Sequence, residues 1–332
     1  MKPLSRRRFV VAGGAAMAAG PAPRALSQGV TAIKVMSFPG MTNFPIFAAQ
    51  HKGLFAKHGL AVELLFTVNS QMQRGGLASN EHQIIQSAAD NAVAMVELAK
   101  QDAVIVTGGD NGFNHIFAQP EFKTLADLRG TTVVVDAPNT AFALLLYKAL
   151  KDAGLVKGDY KVRPVGGTGQ RLAAMTKDKA NASAGVLGLP FMFQAQAVGL
   201  RDMGLANKSI GPYQSDCAIV MRDWAKANGD TVVHYIEAVV EGRRWALDPA
   251  NKAEAIALLA ERLKLSPEIA GRAYGVVTDP ASGMAKDARF DLEGFKNVLQ
   301  LRAEIEGQWA GHPPAPDKYV DLAYYNRALA AL

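Results

Sequence analysis

Short polar clusters follow several predicted β-strands of this chain, each at the point where the strand ends. Hydroxyl and amide groups at such points can donate and accept hydrogen bonds, and nearby phenylalanine rings add apolar or stacking surface. Each cluster alone is better explained as a cap of the following helix, because Ser, Thr, Asn and Asp dominate helix N-caps. Together they predict one site for a small ligand, built from Phe38, Thr42, Asn43, Phe44, Asn69, Ser70, Asp90, Asn91, Asn139, Thr140, Thr168, Gly169 and Phe191.

The role of Asp90 bears on which ligands such a site would bind, and two interpretations of this residue stay open. A site for a simple anion should avoid a carboxylate, so Asp90 facing the ligand favours a ligand with N–H donors, such as a pyrimidine. If Asp90 only caps the helix that begins near Ala92, it carries no information about the ligand.

Residues arranged for catalysis or for metal binding are not apparent in the sequence. The six histidines show neither HxH nor HExxH spacing, and no Gly-x-Ser-x-Gly elbow or Walker A sequence occurs. Gly166-Gly167-Thr168-Gly169 does not complete a GxGxxG motif, and a tight strand-to-helix turn is the better interpretation. We therefore expect a protein that is not an enzyme and that carries no cofactor or metal.

The single cysteine, Cys217, supports the same expectation. One cysteine cannot form an intrachain disulfide, and it excludes cysteine-based zinc and iron–sulfur sites. Cys217 lies in an apolar predicted strand, where a thiol packs as a small hydrophobic group.

Repeated strand–loop–helix units position the polar clusters. The first unit has a strand over Ile33–Phe38, a helix that ends at Gly53, and an alternating strand over Ala61–Val68. Open α/β sheets bind ligands beyond the carboxyl ends of their strands, where these clusters lie. The fold class predicted from this alternation is α/β, with two lobes.

Two segments resemble a known family. The pattern Pro-x-φ-x-Ala-x-x-x-Gly-φ-φ-x-x-x-Gly-φ is typical of periplasmic solute-binding proteins of ABC importers, and it occurs here as Pro45, Phe47, Ala49, Gly53, Leu54, Phe55, Gly59 and Leu60. Residues 122–135, FKTLADLRGTTVVV, resemble the entry into the second lobe of that family. The most similar branch handles nitrate, sulfonates and thiamine-pyrimidine precursors (the NMT1/THI5-like branch).

The resemblance implies the type II periplasmic binding protein fold, with two α/β lobes joined by a two-segment hinge. We place lobe 1 at residues 28–118 and 217–332, and lobe 2 at residues 119–216. The two hinge crossings are expected near Ile116–Pro120 and Pro212–Asp216. Arg171 is the nearest candidate for clamping an anionic group, and support of its own loop is the alternative.

Residues 1–27 have the features of a twin-arginine signal peptide. Ser5-Arg6-Arg7-Arg8-Phe9-Val10 precedes a short apolar run, and Ala25-Leu26-Ser27 has the form of a cleavage site. The segment holds five of the 36 basic residues and no acid, so removing it leaves 31 basic against 30 acidic residues. Basicity therefore gives no evidence for nucleic-acid binding. We expect export to the periplasm and no membrane span.

These features together predict the substrate-binding component of an ABC importer. It would capture a small organic solute of the pyrimidine-like, sulfonate or carboxylate class by hinge closure, act as a monomer, and deliver the solute to an inner-membrane permease. The alternatives are a solute sensor or scaffold that acts on a protein partner, and a pyrimidine-synthase-like enzyme. The second alternative depends on a cysteine-rich motif that this chain lacks.

Overall fold

The structure is a computed structural model, and it describes residues 29–332. Two five-stranded sheets form its framework. In chain order the strands are β1 (Thr31–Ser37), β2 (Leu60–Phe66), β3 (Ile84–Ala88), β4 (Ala103–Ile105), β5 (His115–Ala118), β6 (Thr132–Val135), β7 (Lys161–Pro164), β8 (Ala184–Leu187), β9 (Arg201–Leu205) and β10 (Asp216–Met221). The predicted signal peptide lies outside the described residues.

The two sheets have matching topologies. The first has strand order β2-β1-β3-β10-β4, in which β1 pairs parallel with β2 and β3, and β10 runs antiparallel to β3 and β4. The second has the order β7-β6-β8-β5-β9, in which β6 pairs parallel with β7 and β8, and β5 runs antiparallel to β8 and β9. Each sheet thus contains one antiparallel strand from a chain segment that has crossed over from the other sheet.

Helices cover both sheets and also fill the carboxyl-terminal part of the chain. They are α1 (Phe44–His51), α2 (Leu54–Lys57), α3 (Ser70–Ala78), α4 (Asp90–Glu97), α5 (Ala141–Asp152), α6 (Thr168–Lys177), α7 (Phe191–Ala197), α8 (Arg222–Ala227), α9 (Gly229–Leu247), α10 (Lys252–Leu263), α11 (Pro267–Val277), α12 (Leu292–Glu306) and α13 (Ala323–Ala331). No helix within residues 29–332 is long and apolar enough to cross a membrane.

Helix α1 shows why the first unit folds as it does. Its residues from Phe44 to Ala49 are all buried, so it is apolar on every side and lies beneath the long helix α9. Gly242 of α9 permits this close approach, because a Cβ atom there would lie 2.5 Å from the carbonyl oxygen of Pro45. The turn at Gly53, with φ of +67°, then redirects the chain into α2.

The first crossing between the sheets differs from the predicted one. The stretch Ile116–Pro120 is predicted as a hinge segment, but β5 (His115–Ala118) pairs with β8 and β9 inside the second sheet. Its four residues follow a glycine-rich polar loop and precede a proline, so they carry too short a pattern to indicate a strand. The crossing therefore precedes β5, and residues 115–118 belong to the second sheet.

Strand β9, like β5, is not among the elements predicted from the sequence. Strand β9 (Arg201–Leu205) lies at the edge of the second sheet, and its residues are intermediate or exposed. An edge strand that is half polar and contains Gly204 has no clear alternation of apolar and polar residues. Its pairing with β5 completes the second sheet.

Candidate functional site

A cleft between the two sheets brings together residues from both. Its empty volume is about 710 Å³, a figure that includes some open solvent. The loop after β1 and the starts of α3 and α4 form one wall, and the starts of α5 and α6 form the other. Six of the residues predicted to bind a ligand line this cleft, namely Phe38, Thr42, Ser70, Asn91, Thr140 and Thr168.

Four other predicted residues support the cleft without lining it. The side-chain nitrogen of Asn43 donates to the carbonyl oxygens of Phe38 (2.7 Å) and Gly40 (3.1 Å), which fixes the loop after β1. Phe44 is fully buried in the core beside Tyr274. Asn69 caps α3, because its side chain accepts a hydrogen bond from the backbone N–H of Met72 at 2.8 Å. Asn139 offers its backbone carbonyl to Arg302 at 3.1 Å.

Gly169 and Phe191 also lie behind the cleft surface. A Cβ atom at Gly169 would meet the ring of Phe191 at 3.4 Å, so the two residues pack against each other within the second lobe. Here the second lobe means the second sheet with α5, α6 and α7, and the first lobe means the first sheet with α1 to α4. Phe191 packs against the core rather than stacking on the cleft.

Asp90 corresponds to neither of its two predicted roles. Its carboxylate accepts two hydrogen bonds from Arg302 of α12, from Nε at 2.7 Å and from Nη2 at 2.6 Å. Both side chains are almost fully buried, at 1% and 0% exposure. Burial lowers the pKa of Arg302, but the charge and hydrogen bonds of Asp90 outweigh burial and raise that pKa overall. Asp90 therefore belongs to a buried ion pair.

Several cleft residues are missing from the sequence-based set. They are Ser37, Gln86, Ser87, Asn114, Asp136, Arg171, Ser215 and Asp216, among others. Asp136 directly follows β6, so the rule that found the other clusters also applies to it. Gln86 and Ser87 lie inside β3, where no local pattern distinguishes a side chain that lines the cleft from one that packs in the core.

A chain of hydrogen bonds holds the floor of the cleft in the first lobe. Gln73 Nε2 donates to the carbonyl oxygens of Met36 (3.1 Å) and Gln86 (2.9 Å). Ser87 Oγ then donates to Gln73 Oε1 at 2.7 Å and accepts from Asn91 Nδ2, also at 2.7 Å. Asn91 Oδ1 is left buried without a partner.

Direct contacts join the two lobes across the mouth of the cleft. Asp136 Oδ2 accepts hydrogen bonds from the Ser70 hydroxyl and from the Ser70 backbone N–H at 3.3 Å. The backbone N–H of Gly167 donates to the carbonyl oxygen of Val68 at 2.9 Å. The lobes are therefore closed on each other in this structure, and Asp136 Oδ1 stays buried and unpartnered.

Arg171 lines the cleft, and three of its five N–H donors have partners in its own lobe. Nε donates to the Val186 carbonyl, Nη1 to the Gly166 carbonyl and Nη2 to Thr168 Oγ1, each at 2.9 Å. Burial lowers the pKa of Arg171 to about 10, although the charge of Asp136 opposes that shift. Arg171 thus supports the turn before α6 and balances the charge of Asp136.

A second charged group lies where the chain crosses between the lobes. Burial and the nearby Asp110 carboxylate raise the pKa of Asp216 well above its usual range, and burial also raises the pKa of Asp110. Arg243 of α9 opposes both shifts by its charge, and it donates to the Gly109 carbonyl at 2.8 Å. Within residues 29–332, no group of three or more His, Cys, Asp or Glu side chains is arranged to hold a metal ion.

Comparison with solved structures shows the fold. The periplasmic nitrate-binding protein NrtA from Synechocystis PCC 6803 matches with a TM-score of 0.75 and 17% identity, over 91% of this chain and 89% of NrtA. The alkanesulfonate-binding protein SsuA from Xanthomonas axonopodis pv. citri, bound to MOPS, matches with a TM-score of 0.70 and 16% identity, over 86% of this chain and 96% of SsuA.

A third structure extends the likeness to a different bacterium. The ligand-binding component of an ABC-type import system from Staphylococcus aureus, with zinc bound, matches with a TM-score of 0.72 and 13% identity, over 90% of this chain and 99% of that protein. These likenesses confirm the predicted fold, two α/β units of the periplasmic binding protein type.

A family model identifies the chain more closely than the structures do. No curated protein sequence matches the chain. The model described as NMT1/THI5 like, however, matches residues 41–253, which include α1 to α9, both crossings and the whole second sheet. The predicted family is thereby confirmed: this chain belongs to the NMT1/THI5-like family.

Proposed function

We propose that this protein is the solute receptor of an ABC importer and that it holds a small organic molecule between its two lobes. The observation that carries the proposal is the closed cleft, which polar side chains from both lobes line and which direct hydrogen bonds across the mouth hold shut. Backbone N–H groups at helix starts and buried side-chain amides are usual recognition elements of such pockets.

Closure is the mechanism that the geometry supports. Ser70 and Val68 of the first lobe contact Asp136 and Gly167 of the second only when the lobes meet. A solute that touches both walls interacts more strongly with the closed state than with the open state, so it shifts the population towards closure. Solvent is excluded at the same time, which strengthens the polar contacts inside the cleft.

The cellular setting is part of the proposal. Residues 1–27 have the sequence features of a twin-arginine signal, which supports export to the periplasm in a folded state. The proposed partner is an inner-membrane ABC permease that accepts the solute from a monomeric receptor. The similar structures, which are a nitrate-binding protein, an alkanesulfonate-binding protein and the ligand-binding component of an import system, support a role in binding rather than in catalysis.

Native mass spectrometry of the mature protein tests this proposal. Protein purified without denaturation should carry an added mass of a few hundred daltons or less, and unfolding followed by refolding should remove it. The same refolded sample should regain that mass when the released fraction is returned. A protein that carries no added mass, and that no small organic solute from a test panel stabilises against heat, would contradict the proposed function.

A further inference from the structure

We infer that the solute presents N–H donors and a neutral acceptor to the cleft, and that it places no anionic group there. This inference rests on the proposed receptor function and specifies its ligand. Its basis is the set of buried polar atoms that the protein leaves unpartnered. Among the cleft-lining side chains of residues 29–332 they are Asn91 Oδ1, Asp136 Oδ1 and Asn114 Nδ2.

The orientation of Asn91 follows from its neighbours. Gln73 uses its amide nitrogen on two backbone carbonyls, so its Oε1 must accept the single proton of the Ser87 hydroxyl. Ser87 Oγ can then only accept from Asn91, which places Nδ2 towards Ser87 and leaves Oδ1 as an acceptor. A flipped Asn91 would set two acceptors against each other. Asn91 is 3% exposed, so water outside the cleft does not satisfy its oxygen.

Asp136 supplies the second acceptor from the opposite lobe. Both hydrogen bonds from Ser70 go to Oδ2, and Oδ1 remains buried in a side chain that is 9% exposed. A buried acceptor without a donor costs free energy, and a ligand N–H group would remove that cost. Two acceptors from two lobes thus require donors on the ligand.

An oxyanion fits this cleft poorly. It would approach the carboxylate oxygen of Asp136, whose negative charge offsets that of Arg171, and three of the five N–H donors of Arg171 already bond oxygens of the second lobe. The remaining unpartnered atom, Asn114 Nδ2, is a neutral group with two N–H donors. A carbonyl oxygen or ring nitrogen on the ligand would accept from one of them.

Four probes that share a phenyl ring and differ only in the head group test this inference on refolded, solute-free protein. Benzamide is neutral with N–H donors and one acceptor, benzamidine is a cation with N–H donors, and benzoate and benzenesulfonate are anions. We expect titration calorimetry to show that an N–H probe binds and that both anions bind at least about tenfold more weakly. Benzamide should bind more tightly than benzamidine, because the amidinium cation has no acceptor for Asn114 Nδ2. The reverse order would contradict the inferred neutral acceptor.

Variants make the test specific to the proposed atoms. Asp136→Asn keeps an oxygen for Ser70 and replaces the unpartnered Oδ1 with a donor, so we expect about tenfold to hundredfold weaker binding of the N–H probe and stronger binding of benzoate. Asn91→Ala should weaken the N–H probe without strengthening the anions. Asp223→Asn is the matched control, because the Asp223 side chain is 92% exposed and lies outside the cleft.

Three results would overturn the inference. The first is tighter binding of benzoate or benzenesulfonate than of either N–H probe to the unaltered protein. The second is unchanged binding of the N–H probe in both cleft variants, and the third is no binding of either N–H probe. The added mass in native mass spectrometry decides the receptor function independently, so a receptor that holds a sulfonate would refute this inference and leave the proposed function intact.

Discussion

Asp90→Ala is expected to lower the free energy of unfolding by about 3–5 kcal/mol, the usual cost of removing one partner of a buried ion pair. The substitution would leave the Arg302 guanidinium, which is 0% exposed, with only the Asn139 carbonyl as a hydrogen-bond partner and only the weaker influence of the Glu306 charge. Because Arg302 of α12 also contacts the loop before α5, the loss should loosen the contact of α12 with both lobes. Denaturant-induced unfolding measures the change.

Two further variants separate the ion pair from a general effect of losing a carboxylate. Asp223→Ala removes an exposed carboxylate that pairs with Lys226 at 3.5 Å, and it should change stability by less than about 0.5 kcal/mol. The double variant Asp90→Ala with Arg302→Met should be more stable than Asp90→Ala alone, because no buried charge remains unpaired. If Asp90→Ala changed the free energy of unfolding as little as Asp223→Ala, the pair of Asp90 with Arg302 would not stabilise the fold.

Gly167→Thr is expected to weaken solute binding by about tenfold to hundredfold while leaving the stability of the solute-free protein nearly unchanged. A Cβ atom at Gly167 would lie 3.0 Å from the Phe38 ring of the opposite lobe, a contact that exists only when the lobes are closed. Overpacking of this kind costs about 1–3 kcal/mol. Threonine is as acceptable as glycine at this N-cap of α6, and the φ of −62° suits it, so the open protein should tolerate the change.

The matched control is Gly75→Thr in α3. A Cβ atom there meets nothing within 4 Å, so binding of the solute should not change. Titration of each refolded variant with the solute released from the unaltered protein, together with thermal unfolding of the solute-free forms, gives the comparison. Equal affinities for Gly167→Thr and Gly75→Thr would show that closure at this contact is not needed for binding.

The sequence predicts the architecture well where the signals are local. Strand β1, the buried helix α1 and the turn at Gly53 follow from apolar runs and glycine positions within some twenty residues. The strand β5 is missed because its pairing partners, β8 and β9, lie about 70 to 90 residues further along the chain. Short strands that depend on distant pairing have no strong local pattern.

In the candidate site too, residues with local sequence signals are predicted and residues that depend on distant partners are not. Ser70, Asn91 and Thr168 follow from the rule that polar residues at strand ends meet at one edge of a sheet. The rule fails for Asp90, because its partner Arg302 lies 212 residues away, and nothing near Asp90 in the sequence indicates a buried cation. The identity of the residues that bind the solute stays a prediction until a ligand is identified.

The distance between the lobes, with and without solute, tests most directly whether this protein captures its solute by closure. Spin labels on cysteines introduced at Ser79, at the exposed end of α3, and at Lys177, at the exposed end of α6, would report it, because the native Cys217 is fully buried. For refolded protein we expect a longer mean distance that shortens to a single narrow distribution when the released solute is added. A solute that binds with measurable affinity and leaves the distance distribution unchanged would contradict capture by closure.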